Sequence, residues 1–346
     1  MNDTVSFIKF TKKQEIGSNE GKNSDVFLAT DDQLGSELII KQVEKVKFKP
    51  DDYFAEAKMI YGNKHPNIVD IQYASQDDTY VYMAMPYYKK GSLNKIARNR
   101  FLSVREVIKY SLDILSAVNF IHSNGLLHLD IKPTNILIDD TGRALLTDFG
   151  LSRYMDINGI AEQDCNYTFH RDPESFSNSG RSVQSDIYQI GLTIYRLCNG
   201  VDIFNNQILN MNIINNKQLR ERILKGEFPD RKFFLPHIPK KLRKIILKAI
   251  KVNTNERYQN TIEMLNDLSL VDENLDWIFT NNDRNPYTKS DETYKYDIYV
   301  KDNNDIECYR QRHDNGKRAK ITKYCSKNDT GKSLENRLVQ VLGGFN

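Results

Sequence analysis

The pattern of apolar and polar positions in the N-terminal part of the chain predicts short strands with one helix among them. Residues 24–30 and 37–43 are rich in β-forming side chains, and a turn with two aspartates and a glycine separates them. Residues 51–61 carry helix formers, and two further apolar runs follow at 68–74 and 79–85. This part of the chain is therefore expected to form a small sheet with one helix.

The period of the pattern becomes helical from residue 103 onward. Ser103 and Glu106 have the spacing of a capping box, and apolar residues then recur on one helix face. Residues 136–138 and 144–147 are predicted as two short strands, and helical patterns dominate over 185–270. A β-rich lobe followed by a helix-rich lobe makes the fold class α+β.

A third region begins after Asn282. Residues 294–300 and 306–312 alternate as strands, Asn315-Gly316 signals a hairpin before a third strand, and 333–342 has helical spacing. A small β-β-β-α domain behind a polar linker is therefore expected. The predicted divisions are an N-terminal lobe, a C-terminal lobe, a linker and the small domain, at 8–85, 86–275, 276–293 and 294–346.

Composition and charge exclude several classes of protein. The 346 residues are 39% hydrophobic and 27% charged with few glycines and prolines, which excludes a collagen-like or wholly disordered chain. The four cysteines are dispersed, and the sequence shows no signal peptide and no long apolar run. We therefore expect a cytoplasmic protein without a membrane partner. The net charge of +3 is uneven, because 294–346 carries +4 and the rest −1.

The most informative residues are His128-Leu129-Asp130-Ile131-Lys132-Pro133-Thr134-Asn135, followed by Asp148-Phe149-Gly150. They resemble the catalytic loop H-R-D-x-x-x-x-N and the D-F-G motif of eukaryotic-type Ser/Thr protein kinases, with Leu129 replacing the arginine, as in non-RD members. The resemblance covers about residues 10–270. It implies a bilobal protein-kinase-like fold that uses ATP and Mg²⁺ and acts on protein substrates.

The resemblance implies a role for each residue of the catalytic loop. Asp130 would accept or orient the proton of the attacking hydroxyl, and Lys132 would place positive charge near the transferred phosphate. Asn135 and Asp148 would ligate Mg²⁺ through oxygen atoms. Lys132 followed by Pro133 resembles the Ser/Thr branch of the family rather than the tyrosine branch.

The resemblance also implies where ATP binds. Lys41 would contact the phosphates and form an ion pair with Glu56. In the phosphate-covering loop only Gly21 and Val26 match the family's glycine-rich pattern. The other implied nucleotide contacts are apolar residues around the adenine and the segment joining the lobes, namely Ile39, Leu137, Met85, Pro86 and Tyr88.

Further positions of the resemblance are structural or regulatory. Glu174 would pair with Arg257, and Asp186 would anchor the catalytic loop. An internal apolar stack is implied for Ile60, Ile71, His128 and Phe149. Because Leu129 removes the usual partner of an activation-segment phosphate, we expect activity without phosphorylation of Ser152 or Thr168.

Several alternatives stay open at the level of sequence. The chain could be a pseudokinase that serves as an ATP-binding scaffold, or a kinase of small molecules. The basic segment 240–251 is either a core helix with a solvated face or a surface for membranes or nucleic acid. The basic tail has a solvated face or docks an acidic partner or nucleic acid. The asparagine-rich composition favours a bacterial or viral source, and the oligomeric state is open.

Overall fold

The N-terminal lobe is built on a five-stranded antiparallel sheet with strand order β1-β2-β3-β5-β4. Its strands are β1 (Phe10–Ile16), β2 (Asp25–Asp31), β3 (Glu37–Glu44), β4 (Tyr73–Gln76) and β5 (Tyr80–Pro86). Helix α1 (Ala55–Gly62) follows β3. The computed structural model describes residues 8–16, 24–47, 54–162, 170–177, 180–328 and 331–345.

The apolar run 68–74 differs from its prediction as a strand. Only its end belongs to β4, and Ile68 forms a single bridge to Leu146 in the other lobe. Val69 also donates its backbone N–H to the carbonyl of Leu146 at 2.9 Å. The run is apolar because it is buried between the lobes, and not because it pairs within the sheet.

The C-terminal lobe is helical and contains the largest apolar core of the described residues. Its helices are α2 (Leu93–Asn99), α3 (Val104–Ser123), α4 (Val183–Asn199), α5 (Val201–Asn210), α6 (Asn216–Lys225), α7 (Lys240–Ala249) and α8 (Thr261–Ser269). Two short pairs of strands complete it, β6 (Leu126–Leu127) with β9 (Arg153–Tyr154) and β7 (Ile136–Ile138) with β8 (Ala144–Leu146). This architecture confirms the expected bilobal α+β fold.

Two helices show how the sequence determines this lobe. The capping box of α3 is confirmed, because Ser103 accepts the N–H of Glu106 and the Glu106 carboxylate accepts the N–H of Ser103. Helix α7 buries Leu242, Ile245 and Ile246 and turns its lysines outward. Its basic pattern is therefore that of a core helix with a solvated face. Among the described residues no helix has the length and apolarity to span a bilayer.

The C-terminal unit has more strands than the sequence predicted. Its five-stranded antiparallel sheet runs in sequence order and packs against helix α9 (Leu334–Gly343). The strands are β10 (Ile278–Phe279), β11 (Tyr287–Ser290), β12 (Tyr294–Val300), β13 (Ile306–Arg312) and β14 (Arg318–Lys320).

The linker predicted over 276–293 therefore needs correcting. This range contains β10 and β11, and Trp277 is only 1% exposed within the core of the C-terminal unit. The prediction missed them because β10 has two residues, too few to show alternation, and a polar turn follows it.

The C-terminal unit also packs directly on the helical lobe. The Arg105 guanidinium donates to both carboxylate oxygens of Asp276 at 2.6 and 2.9 Å. The Phe279 ring lies 4.8 Å from that of Phe101, and the His237 ring lies 5.5 Å from that of Tyr287. The two units thus share an apolar contact bordered by an ion pair.

Candidate active site

The catalytic loop, residues 128–135, is held from below by helix α4. The fully buried carboxylate of Asp186 accepts the backbone N–H of His128 at 2.9 Å and that of Leu129 at 2.7 Å. Gln189, one turn further on, accepts the N–H of Ile131 at 2.8 Å and donates to the carbonyl of Leu129 at 2.9 Å. These bonds hold Leu129 at a φ of 65°, a left-handed conformation that is strained for leucine.

The three residues predicted to be catalytic lie together in this loop. The Lys132 Nζ is 2.8 Å from Oδ2 of Asp130, and the Asn135 side-chain amide donates to the same oxygen at 2.7 Å. All three residues are buried. Burial raises the pKa of the Asp130 carboxyl to about 6, although the charge of Lys132 opposes that shift.

A second cluster joins the two lobes around Lys41. The Lys41 Nζ lies 2.7 and 2.9 Å from the two carboxylate oxygens of Glu56 and 2.8 Å from Oδ1 of Asp148. The ion pair expected between Lys41 and Glu56 is therefore present. Although burial opposes it, the charge of the two carboxylates raises the pKa of Lys41 above its usual value. In return, Lys41 lowers the pKa of Asp148 to about 2.

Asn135 and Asp148 offer the oxygen donors that suit a hard cation such as Mg²⁺. The backbone N–H of Thr147 donates to the carbonyl of Asn135 at 3.0 Å, which brings the residue before Asp148 against the catalytic loop. The described chain has no group of three or more His, Cys, Asp or Glu that could hold a metal alone. This donor set fits an ion that takes its remaining ligands from phosphate and water.

The residues predicted around the adenine share one face of the N-terminal sheet. Ile39 pairs with Met85 between β3 and β5, and Val26 of β2 pairs with Lys41. Because residues two apart on a strand point the same way, Val26, Ile39 and Met85 lie on the face that carries Lys41. Of the remaining predicted contacts, Pro86 ends β5, Tyr88 lies in the segment that joins the lobes, and Leu137 lies on β7. Gly21 lies outside the described residues.

The start of the activation segment is fixed by apolar contacts and strand pairing. Leu129 is buried in a cluster with Leu127 and Ala161, and Met155 and Val183 pack against it. Ala161 exchanges two backbone hydrogen bonds of 2.8 Å with Arg181.

Of the two positions considered for phosphorylation, the structure describes only Ser152, and its hydroxyl is not exposed. Ser152 is fully buried and donates its hydroxyl to the carbonyl of His128 at 3.2 Å. Its side chain thus supports the catalytic loop. Thr168 falls outside the described residues.

The structural positions of the resemblance are also occupied as expected. The Arg257 guanidinium donates to the two carboxylate oxygens of Glu174 at 2.6 and 3.0 Å. The His128 and Phe149 rings pack edge to face at 4.9 Å. With Ile60 and Ile71 these rings are buried in the interior beside the cleft.

Sequence reasoning missed two residues that position the catalytic loop. Gln189 lies three residues after Asp186, so the helical spacing would have placed both side chains on one face. His122, at the end of α3, places its Nε2 2.8 Å from Oδ2 of Asp186. No local sequence pattern connects His122 with Asp186, because the two residues are far apart in the chain.

Comparison with known proteins supplies the family. Residues 10–268 match the protein kinase domain, so the chain belongs to the protein kinase family. It is 29% identical over 264 residues to the "Probable serine/threonine-protein kinase PknB" of Lactococcus lactis, covering 74% of the chain and 41% of the relative.

Two other relatives carry related names. The chain is 29% identical over 256 residues to the serine/threonine-protein kinase PrkC of Bacillus subtilis, covering 72% of the chain and 38% of the relative. It is 27% identical over 270 residues to the CBL-interacting serine/threonine-protein kinase 20 of Arabidopsis thaliana, covering 73% and 60%. The chain therefore spans about 40 to 60% of the length of these relatives.

Proposed function

We propose that this chain transfers the γ-phosphate of ATP to serine and threonine hydroxyls of protein substrates in a Mg²⁺-dependent reaction. The observation that carries the proposal is the connection of Asp130, Lys132 and Asn135 by hydrogen bonds, opposite a lysine that bridges two carboxylates. The names of the relatives support the Ser/Thr class. The test is transfer of labelled phosphate from ATP to protein, compared between the wild type and Asp130→Asn.

The hydrogen bonds around Asp130 support its proposed role as proton acceptor. Lys132 and Asn135 both donate to its Oδ2. Within the described ranges the hydrogen bonds to the Asp130 carboxylate reach Oδ2, and Oδ1 is proposed to accept the substrate hydroxyl. Lys132 neutralises charge beside the reacting phosphate, and Lys41 neutralises the other phosphates.

Asn135 and Asp148 would hold Mg²⁺, which when bound neutralises phosphate charge. Lys41 lowers the pKa of Asp148 to about 2 and so keeps this carboxylate ionised at neutral pH. The adenine would lie against Val26, Ile39 and Leu137, with Met85, Pro86 and Tyr88 at the lobe junction and Gly21 in the covering loop.

The alternatives have weaker support. A pseudokinase scaffold would need one of the motif residues to be missing or displaced. Lys41, Glu56, Asp130, Asn135 and Asp148 are all present, and all five take part in the hydrogen bonds of the site. A kinase of small molecules is disfavoured by the names of the relatives, which are those of protein kinases.

We also propose the setting in which the site works. The kinase unit, residues 8–275 with its two lobes dividing at 85, faces the cytoplasm, a proposal supported by ATP as substrate and by the free Cys198 and Cys308. The basic C-terminal unit is proposed to dock an acidic partner or nucleic acid.

The rate constant kcat/KM is expected to fall as the pH drops below about 6. Asp130 must be ionised to accept a proton, and burial raises its pKa to about 6. Because Lys132 lowers that pKa, Lys132→Met should move the acidic limb of the profile to higher pH. Initial rates across the limb at constant ionic strength measure this, with Lys109→Met on the exposed side of α3 as the control. An unmoved limb in Lys132→Met would contradict the assignment to Asp130.

Protein treated with a phosphatase is expected to retain its rate of phosphoryl transfer. The described start of the activation segment is held by apolar contacts of Met155 and Ala161 with the cluster around Leu129, against which Val183 of α4 also packs, and these contacts require no phosphate. Mass spectrometry verifies complete removal of phosphate, and initial rates are then compared with those of untreated protein. A rate that collapses on dephosphorylation, and returns after preincubation with ATP, would refute this prediction.

A further inference from the structure

The C-terminal sheet has one face that no helix covers among the described residues. Ile298 of β12 and Cys308 of β13 point to the core beneath α9. Their neighbours Tyr299, Glu307 and Tyr309 therefore point to the other side, because successive side chains on a strand alternate. We call this side the outer face. It borders a groove of about 560 Å³.

One carboxylate that lines the groove forms ion pairs with two lysines. Glu307, with a side chain only 14% exposed, accepts the Lys301 Nζ at 2.7 Å and the Lys320 Nζ at 2.6 Å. Its other oxygen accepts the Tyr309 hydroxyl at 2.8 Å. The hydrogen bond from Lys301, together with those from Lys320 and Tyr309, lowers the pKa of Glu307 to about 2. One ionised carboxylate between two ammonium groups leaves an excess of one positive charge.

Besides the two lysines, the outer face carries an arginine, Arg318, whose guanidinium stacks on tyrosine rings. The Arg318 guanidinium lies 4.0 Å from the centre of the Tyr309 ring and 4.8 Å from that of Tyr299. The side chain is exposed, and within the described part of the chain it has no carboxylate partner. Stacking fixes the guanidinium plane while its N–H donors stay open, an arrangement suited to bidentate binding of phosphate.

The charge of the groove indicates the charge of its ligand. Arg284 and Asp302 also line the groove and offset each other across 3.8 Å. The lining residues Lys301, Glu307 and Arg318, together with Lys320, which binds Glu307 beside the groove, then add to +2. A phosphomonoester carries about −1.5 to −2 at neutral pH, which matches this value. We propose that the groove binds a phosphorylated peptide segment, with the phosphate on Arg318 and the lysines held by Glu307.

Two observations favour a phosphopeptide over nucleic acid. A nucleic acid strand carries a charge for every nucleotide and needs a continuous basic track, whereas this groove contains Glu307 and Asp302 among its cations. Single strands also stack bases on open aromatic faces. Here Arg318 covers the Tyr309 ring, and the Tyr299 ring meets it edge to face at 85°. This proposal rests on the groove and not on the kinase activity.

The test uses the full chain without ATP and a fluorescein-labelled degenerate peptide library centred on phosphothreonine. Fluorescence anisotropy is compared with that of the same library carrying threonine, and with a labelled single-stranded oligonucleotide. We expect binding of the phosphorylated library, and a loss of affinity of about tenfold or more in Arg318→Gln. Arg310→Gln is the matched control, because Arg310 is also exposed and stacked on a tyrosine, Tyr294, but lies on the other face of the sheet.

Each other outcome overturns the proposal. Equal binding of both libraries would show that the phosphate is not recognised. Equal losses in Arg318→Gln and Arg310→Gln would show only nonspecific charge attraction. Tighter, Arg318-dependent binding of the oligonucleotide would assign the groove to nucleic acid instead. Thermal denaturation of both variants verifies that any loss reflects the groove and not the fold.

Discussion

Replacing Asp130 with asparagine is expected to lower the rate of phosphoryl transfer by about 100- to 10,000-fold. The substitution keeps the shape of the side chain but removes the negative charge that accepts the hydroxyl proton and pairs with Lys132 at 2.8 Å. Binding of ATP should persist, because Lys41 and its two carboxylate partners are unchanged. Transfer of labelled phosphate gives the rate, and a fluorescent ATP analogue gives the affinity.

Asp140→Asn provides the matched control for this experiment. Asp140 is exposed in the turn between β7 and β8, so the same chemical change there should leave both the rate and the affinity unaltered. A wild-type rate in Asp130→Asn would remove the basis of the proposed function. A loss of ATP affinity equal to the loss of rate would assign Asp130 to binding instead of proton transfer.

Replacing Arg257 with methionine is expected to lower the free energy of unfolding by about 3–5 kcal/mol. The Arg257 side chain is fully buried and binds both oxygens of Glu174. It also donates to the backbone carbonyls of Lys251, Val252 and Gln184, at 2.7, 3.0 and 2.8 Å. Removing it leaves a nearly buried carboxylate and three carbonyls without their donor. Urea denaturation measures the change.

Arg222→Met is the control for the Arg257 prediction. Arg222 pairs with Glu227 at 3.0 Å, but both side chains are more than 40% exposed, so its loss should change stability by about 0–1 kcal/mol. The double variant Glu174→Gln with Arg257→Met should recover part of the loss, because the uncompensated charge is gone. Equal losses of unfolding free energy in Arg257→Met and Arg222→Met would mean that the buried ion pair stabilises the fold no more than the exposed one.

The sequence predicted those parts of the fold whose signal is local. Strands β12 and β13 have the bounds that their alternation indicated. Helix α3 begins directly after Ser103, as the capping-box pattern predicted. The catalytic loop could be located because its residues lie within one short stretch. Short-range patterns of this kind depend only on neighbouring residues, so a single sequence is sufficient to reveal them.

The parts that could not be predicted depend on contacts between distant residues. His122 and Asp186 meet although α3 and α4 are separated by the whole catalytic and activation region. The left-handed backbone of Leu129, with φ at 65°, follows from bonds to α4 that no propensity of leucine suggests. β10 has too few residues to show a strand pattern, and it is a strand only because it pairs with β11.

The contact between Phe101 and Phe279 has a consequence for where this protein can be cut. The family match ends at residue 268, yet the surface of the helical lobe continues under the C-terminal sheet. A fragment that ended at residue 268 would expose the Phe101 ring and the His237 imidazole to water. In the full chain, burial lowers the pKa of His237 to about 3. Freed from that burial, the imidazole would take up protons near neutral pH. The domain that matches the family, which ends at residue 268, is therefore shorter than the part of the chain that is needed to keep Phe101 and His237 buried.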